Sequence, residues 1–80
     1  MSKASRLRWL CRRGMKELDL LLINYLEHVY PSADPSDRQA FEQLLEMADP
    51  DLYTLITGKT RSDDAQVMRV VEALRRTLAV

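Results

Sequence analysis

Apolar residues recur along the chain at the three- and four-residue spacing of amphipathic helices. The clearest case runs from about Met15 to Val29, where the apolar residues share one helical face. This face is formed by Leu18, Leu21, Leu22, Tyr25, Leu26 and Val29. Leu20 and Ile23 widen the stripe, so we expect neighbouring elements to pack against this helix on two sides. Tyr30 and Pro31 end it, because the residue before a proline disfavours the helical conformation.

A shorter helix is predicted before it, from about Ser5 to Arg13. Ser5 or Ser2 provides the N-cap, and Gly14 provides the left-handed residue that stops the helix. The two arginines at its end then lie in the last turn, where positive charge complements the helix dipole. Its inward face is formed by Leu7, Leu10 and Cys11.

Two Asp-Pro pairs mark further helix starts, because proline fits the first helical position and the preceding acid fits the N-cap. The Asp34-Pro35 pair opens a third helix to about Met47. The Asp49-Pro50 pair opens a fourth helix to Thr57, which Gly58 closes. The apolar residues of the third helix are Ala40, Phe41, Leu44, Leu45 and Ala48, and those of the fourth are Leu52, Leu55 and Ile56.

A fifth helix is predicted after the polar residues 62–64. Its apolar stripe consists of Val67, Met68, Val71, Leu74 and Leu78. No segment alternates apolar and polar residues in the manner of a half-buried strand. We therefore predict an all-α protein, a compact five-helix bundle that forms one small domain over residues 1–80.

Composition excludes several functional classes. Hydrophobic residues make up 46% and charged residues 30% of the chain, as in ordinary folded proteins. The longest uncharged apolar run, Leu20 to Tyr25, is far shorter than the roughly 20 residues that cross a bilayer, so we expect no membrane insertion. The one cysteine, Cys11, is expected to be a small buried residue. No Cys and His residues have the spacing of metal ligands.

The chain also lacks sequence signatures of catalysis. It has no glycine-rich phosphate loop, and its one histidine, His28, has no serine or cysteine nucleophile at motif spacing. We expect His28 to be a partly exposed residue near a helix C-terminus. The sequence therefore predicts no catalytic residue and no enzyme activity.

Charge is unevenly distributed, although the net charge is zero. Six of the twelve basic residues precede the first acid, Glu17: these are Lys3, Arg6, Arg8, Arg12, Arg13 and Lys16. Such a basic start, with Trp9 to stack on bases, makes nucleic-acid binding one alternative, against which the zero net charge argues. Residues 1–14 also have the arginine-rich, acid-free composition of a transit peptide.

The segment from Trp9 to Asp19 carries the candidate binding chemistry, because arginine and tryptophan often anchor interfaces. We expect a corner between two helices that brings Arg13 and Glu17 to one exposed rim. The alternative is purely structural, with arginines that complement a helix dipole and a glycine that stops a helix. We place Trp9 itself in the core. The candidate partner-binding residues are Arg12, Arg13, Gly14, Lys16, Glu17 and Asp19.

This segment resembles the signature of the succinate dehydrogenase assembly factor family, the flavinylation factors, whose hallmark is an Arg-Gly-x-x-Glu motif. Arg13, Gly14 and Glu17 match that motif. Two later blocks are similar to the family's pattern: Glu27-His28-x-Tyr30, and Leu44-Leu45-Glu46 followed by Asp49-Pro50-Asp51-Leu52-Tyr53. The similarity covers residues 7 to about 56.

The resemblance implies a protein that binds the flavoprotein subunit of succinate dehydrogenase, and also that of fumarate reductase, and promotes covalent attachment of FAD to a histidine of that subunit. The FAD would belong to the partner, so we expect no tightly bound cofactor. Arg13, Gly14 and Glu17 would form the partner-contacting surface. Because the motif lies in the basic start, we expect that start to be folded and not a cleaved presequence, and the protein to be a monomer in the bacterial cytoplasm.

Two further alternatives use the same surface. An antitoxin-like or inhibitory role has also been proposed for members of this family, and a generic adaptor would need no flavoprotein at all. Residue pattern and charge alone leave both alternatives open.

Overall fold

The computed structural model describes the backbone of residues 2–78 and the side chains of residues 2–76. Over this range the chain forms five α-helices, one 3-10 turn and no strand, which confirms the predicted all-α fold. The helices are α1 (Lys3–Leu10), α2 (Lys16–His28), α3 (Pro35–Leu45), α4 (Asp49–Ile56) and α5 (Ala65–Leu78), and the 3-10 turn spans Tyr30–Ser32. The predicted inward position of Leu78 falls outside the described side chains.

The core lies between α2, α3 and α5. Helix α5 packs mainly against α3 and α2, and α4 packs against α5. The ring centroids of Tyr25 and Phe41 are 4.6 Å apart, and those of Tyr30 and Phe41 are 5.7 Å apart. Tilted ring pairs at this distance stabilise a core beyond their buried area. The other fully buried residues include Leu21, Leu22, Leu44, Leu45, Leu52, Val70, Val71 and Leu74.

Helix α1 begins and ends earlier than the sequence pattern predicts. Ser2 is its N-cap, and the Ser2 hydroxyl accepts a hydrogen bond from the backbone three residues later. The helix ends at Leu10, so Gly14 is not its stop signal and Arg12 and Arg13 lie beyond its last turn. The prediction that these arginines complement the dipole of their own helix is therefore wrong.

Three residues predicted to face the core are exposed. Trp9 is 66% exposed and Leu20 is 56% exposed. Each follows a buried leucine, Leu7 or Leu18, by two positions, which is about 200° around a helix. Burial of the leucines therefore turns both side chains outward. Ala48 is exposed because α3 ends before it.

The two Asp-Pro pairs hold different positions at the starts of their helices. Asp34 is the N-cap of α3 and Pro35 is its first residue, as predicted. Asp49 is instead the first residue of α4, and Ala48 holds the N-cap position. Because Asp49 does not cap its own helix, its carboxylate can bond to Arg13, as described below.

Helix α4 ends at a glycine with positive φ, as predicted. Gly58 has φ of 88°, its N–H donates to Leu55 O at 3.3 Å, and Lys59 N–H donates to Thr54 O at 2.9 Å. These two bonds form a Schellman motif. Helix α5 begins directly after Asp64, whose carboxylate accepts hydrogen bonds from backbone N–H groups of the first turn.

Candidate functional site

Residues 11–15 connect α1 to α2, and together with the first turn of α2, up to Asp19, they are called the corner here. Asp19, in the first turn of α2, reaches back to this connection. Its Oδ1 accepts a hydrogen bond from Arg13 N–H at 2.7 Å, and its Oδ2 accepts one from Gly14 N–H at 3.3 Å. Hydrogen bonds to a carboxylate are stronger than those between neutral groups. Asp19 therefore holds the backbone of the corner against α2.

The side chain of Arg13 points away from solvent and is 12% exposed. Its Nη1 donates to Met47 O at 2.9 Å and to the carboxylate of Asp49 at 3.1 Å, and its Nη2 donates to Leu45 O. Leu45 is the last residue of α3, where helix carbonyls lack intrahelical partners and the dipole is negative, and Met47 lies in the turn that follows. Arg13 thus attaches the corner to the turn between α3 and α4.

Gly14 follows Arg13 with a φ of 76°, a conformation that residues with a side chain rarely adopt. A Cβ atom built on Gly14 would meet no other atom within 4 Å. The glycine is therefore required by the backbone conformation and not by crowding within the chain. The open space beside it is accessible to another molecule.

The remaining candidates, Arg12, Lys16 and Glu17, are exposed. Within residues 2–76, none of these three side chains has a hydrogen bond or an ion pair. The expectation that Arg13 shares an exposed rim with Glu17 is wrong, because Arg13 turns inward. The structure thus divides the six predicted residues into two that hold the corner, Arg13 and Asp19, and four that face solvent.

The basic face of α1 is largely neutralised by acids on neighbouring helices. Lys3 pairs with Glu42 at 3.2 Å, Arg6 with Glu46 at 3.4 Å, and Arg8 with Glu27 at 2.9 Å. Phosphate binding would require these cations to exchange their carboxylate partners. The nucleic-acid alternative is therefore not favoured.

Tyr53 lies beside the corner and was not among the predicted site residues. It is 41% exposed, whereas its helix neighbours Leu52 and Leu55 are buried. One shallow depression beside it is lined by Met15, Lys16, Glu17, Leu18 and Tyr53, and a second is lined by Glu17, Leu18, Leu21, Tyr53, Ile56 and Thr57. The signal available in the sequence was its place at the end of the Asp49-to-Tyr53 block.

The second sequence block, around His28, makes local contacts at the opposite end of α2. His28 Nδ1 lies 3.1 Å from Asn24 O on an exposed turn, as expected for a residue near a helix C-terminus. Tyr30 donates a 2.6 Å hydrogen bond to the carboxylate of Glu42. Burial and this bond raise the pKa of Tyr30 to about 12, and the bond lowers the pKa of Glu42. The Tyr30 contact joins the 3-10 turn to α3, whereas the His28 contact stays within α2.

Cys11 is fully buried under the corner, as predicted. Burial raises the pKa of its thiol to about 11, against the opposing effect of Arg13 and Arg8, so the thiol is neutral at physiological pH and a poor nucleophile.

Among the described residues, no three His, Cys, Asp or Glu side chains are grouped to hold a metal ion. None of the described helices has the length and apolar character needed to cross a membrane.

Comparison with known proteins shows a similarity that spans the whole fold. The family described as flavinator of succinate dehydrogenase matches residues 5–78. A protein of Methylococcus capsulatus named FAD assembly factor SdhE is 47% identical over 75 residues, which cover 94% of this chain and 90% of that protein. Proteins of the same name from Pectobacterium atrosepticum and Aliivibrio fischeri are each 37% identical to this chain. The similarity covers 89% of this chain for the first and 88% for the second, and 81% of each relative.

Proposed function

Because the chain belongs to the family of flavinators of succinate dehydrogenase, we propose that it binds the flavoprotein subunit of that enzyme through the outer side of the corner. Its role is in flavinylation, the covalent attachment of FAD. The observation that supports this surface is that the motif residues have two different positions. Arg13 and Asp19 hold the corner from behind, while Gly14 and Glu17 face solvent on it. A corner that is already ordered loses little conformational entropy on binding.

The proposed mechanism is stabilisation of one conformation of the partner. The bound helper favours the arrangement in which the FAD of the subunit lies against the histidine that accepts it. A ligand shifts such an equilibrium by binding one conformation more tightly than the other. Correct positioning of two reactants then accelerates bond formation without a catalytic base on the helper.

FAD is proposed to remain with the partner throughout. The depressions beside the corner are shallow, and the larger is lined by Met15, Lys16, Glu17, Leu18 and Tyr53, a set without the glycine-rich loop that cradles phosphates. The helper is proposed to act as a binding partner and not as a catalyst. The neutral, buried thiol of Cys11 and the position of His28 at the far end of α2 support this assignment.

Three finer assignments belong to the same proposal. The flavoprotein subunit of fumarate reductase would use the same corner, since the resemblance of the motif extends to factors that serve both enzymes. The chain would act as a monomer, and it would do so in the bacterial cytoplasm. The bacterial origin of the relatives described above supports the last of these.

Co-expression with the succinate dehydrogenase flavoprotein subunit, in a host without its own helper, tests the proposal. The subunit is denatured after expression, and covalent flavin is read as in-gel fluorescence. We expect a strong band with the wild-type chain and a band at least about fivefold weaker with Glu17→Gln, which removes only a charge. Glu72→Gln, an exposed substitution on α5, serves as the matched control and should give a wild-type band.

Equal fluorescence with and without the helper would refute the flavinylation role in this pairing. A wild-type band with both Glu17→Gln and Gly14→Arg would leave that role intact but move the contact surface away from the corner.

A further inference from the structure

Tyr53 is a large aromatic residue held at the surface of α4 by the burial of its neighbours. Leu52 and Leu55 point into the core, and this fixes the rotation of the helix about its axis. The ring of Tyr53 is therefore presented to solvent by a rigid element. Tyrosine in such a position is enriched among the residues that contribute most to protein interfaces.

Tyr53 and Glu17 line the same two depressions. One depression continues toward Met15 and Lys16 at the corner, and the other toward Leu21 of α2 and Ile56 of α4. Both include Leu18. The floor is thus apolar while the rim carries a phenol ring and a carboxylate. This surface, called the α2–α4 face, is continuous with the corner proposed to bind the partner.

The charges around this face favour a cation. The Glu17 carboxylate has no ion pair among the described residues, and it is the one charged side chain among those that line the depression toward Leu21 and Ile56. Asp49, by contrast, is neutralised by Arg13. Lys16 lies at the corner end of the face, so an incoming cation would be drawn toward Glu17 and away from Lys16.

We propose that the α2–α4 face receives an arginine or lysine side chain of the flavoprotein subunit. The aliphatic stem of that side chain lies on the floor formed by Leu18 and Ile56, and its charged head meets the ring of Tyr53 and the carboxylate of Glu17. Long basic side chains place an apolar stem and a charged head in this manner, and cations bind the faces of aromatic rings. The inference rests on the proposed function and adds Tyr53 to the contact surface.

The test measures the dissociation constant between the purified chain and the purified flavoprotein subunit by titration calorimetry at two salt concentrations. We expect Tyr53→Ala to weaken binding about tenfold, and Tyr53→Phe, which keeps the ring, to remain within about twofold of wild type. Glu17→Gln should weaken binding to a similar extent and reduce its dependence on salt. Lys16→Gln should lose less affinity than Glu17→Gln, and Glu72→Gln, an exposed substitution on α5, should bind like the wild type.

The outcomes separate this inference from the proposal on which it rests. Absence of binding by the wild-type chain would overturn both. Binding by the wild type with no change in Tyr53→Ala would overturn the inference alone. A larger loss for Lys16→Gln than for Glu17→Gln would also overturn it, because the occupant would then be acidic. Since Tyr53 and Glu17 are exposed, their variants should melt near the wild-type temperature, so weaker binding would report on the surface.

Discussion

Arg13 and Arg75 hold the C-terminal ends of two consecutive helices, and neither belongs to the helix that it caps. Arg13 donates to Leu45 O at the end of α3 and to Met47 O in the turn that follows. Arg75, on α5, donates from Nε to Ile56 O at 2.8 Å and from Nη2 to Leu55 O at 2.9 Å at the end of α4. Arg13 is also a residue of the corner, whereas Arg75 is not. The pair therefore allows stability and partner binding to be separated by experiment.

Arg13→Ala should lower the free energy of unfolding by about 2–3 kcal/mol, because it leaves helix-end carbonyls and the Asp49 carboxylate without their charged donor. Urea denaturation monitored by far-UV circular dichroism measures this loss. Arg12→Ala, one residue earlier and exposed, should change stability by less than about 0.5 kcal/mol. Equal stability of the two variants would contradict the inward role of Arg13.

Arg75→Ala should also destabilise the fold, by about 1.5–3 kcal/mol, because two charge-assisted hydrogen bonds to α4 are lost. It should nevertheless support full flavinylation below its melting temperature, since no α5 residue is among those that line the two depressions beside the corner. The in-gel fluorescence assay at reduced temperature checks this expectation, with the exposed Arg76→Ala as control. A flavinylation defect in Arg75→Ala while the protein is folded would contradict this separation, because it would show that the hydrogen bonds of Arg75 also support the binding surface.

Gly14 and Gly58 form a second matched pair, because both adopt positive φ and neither is crowded. A Cβ atom on Gly58 would lie 3.5 Å from Arg75 Nη2, an ordinary contact, and one on Gly14 would meet nothing within 4 Å. Alanine at either position should cost about 1–2 kcal/mol of stability from the left-handed backbone alone. Thermal melts of the two variants measure that cost.

The two glycines should differ in function. Gly14→Arg is expected to fold but to fail in a pull-down with the flavoprotein subunit, whereas Gly58→Arg should still bind. Normal pull-down by Gly14→Arg would contradict a contact at the corner.

The hydrogen bond between Tyr30 and Glu42 predicts two limits in the pH dependence of stability. The pKa of Tyr30 is raised above its ordinary value of 10.0, so the stability it contributes is complete below pH 10 and is lost as pH rises toward about 12. The pKa of Glu42 is lowered from 4.5, so its contribution is complete above pH 4.5 and is lost as pH falls through the lowered value.

Tyr30→Phe removes the contribution of Tyr30 and the part of the Glu42 contribution that comes from their hydrogen bond, while Lys3 remains beside Glu42. Its urea midpoint should lie below that of the wild type at pH 7 and approach it toward pH 3 and pH 11. Tyr53→Phe, at an exposed tyrosine, should follow the wild-type profile throughout. A constant difference between Tyr30→Phe and wild type across this range would show that the bond is not coupled to titration.

The elements that are specified by residues close together in the chain were predictable from the sequence. The α2 stripe, the Asp34-Pro35 start and the Gly58 stop each depend on residues within a turn or two of one another, and each is confirmed. The exposure of Trp9 could also have been read from the pattern, since its position lies opposite Leu7 on a helical wheel. Its size and apolar character led to the wrong expectation.

The inward direction of Arg13 had no local signal. The carbonyls and the carboxylate that it meets belong to residues 45–49, more than 30 positions away in the chain. A motif match identifies Arg13, Gly14 and Glu17 together, but it does not distinguish a residue that supports a surface from one that forms it. That distinction depends on the packing of α3 and α4 against the corner.

The ion pairs of α1 have a consequence for local motion. Leu7 is the one buried residue within α1, against five within α2, and exposed salt bridges provide further attachment. Such pairs are weak and are screened by salt. We therefore expect the amide protons of α1 to exchange with solvent faster than those of α2, and faster still at high ionic strength. The corner is anchored separately, through Arg13 and Asp19, so it can stay in place while α1 opens.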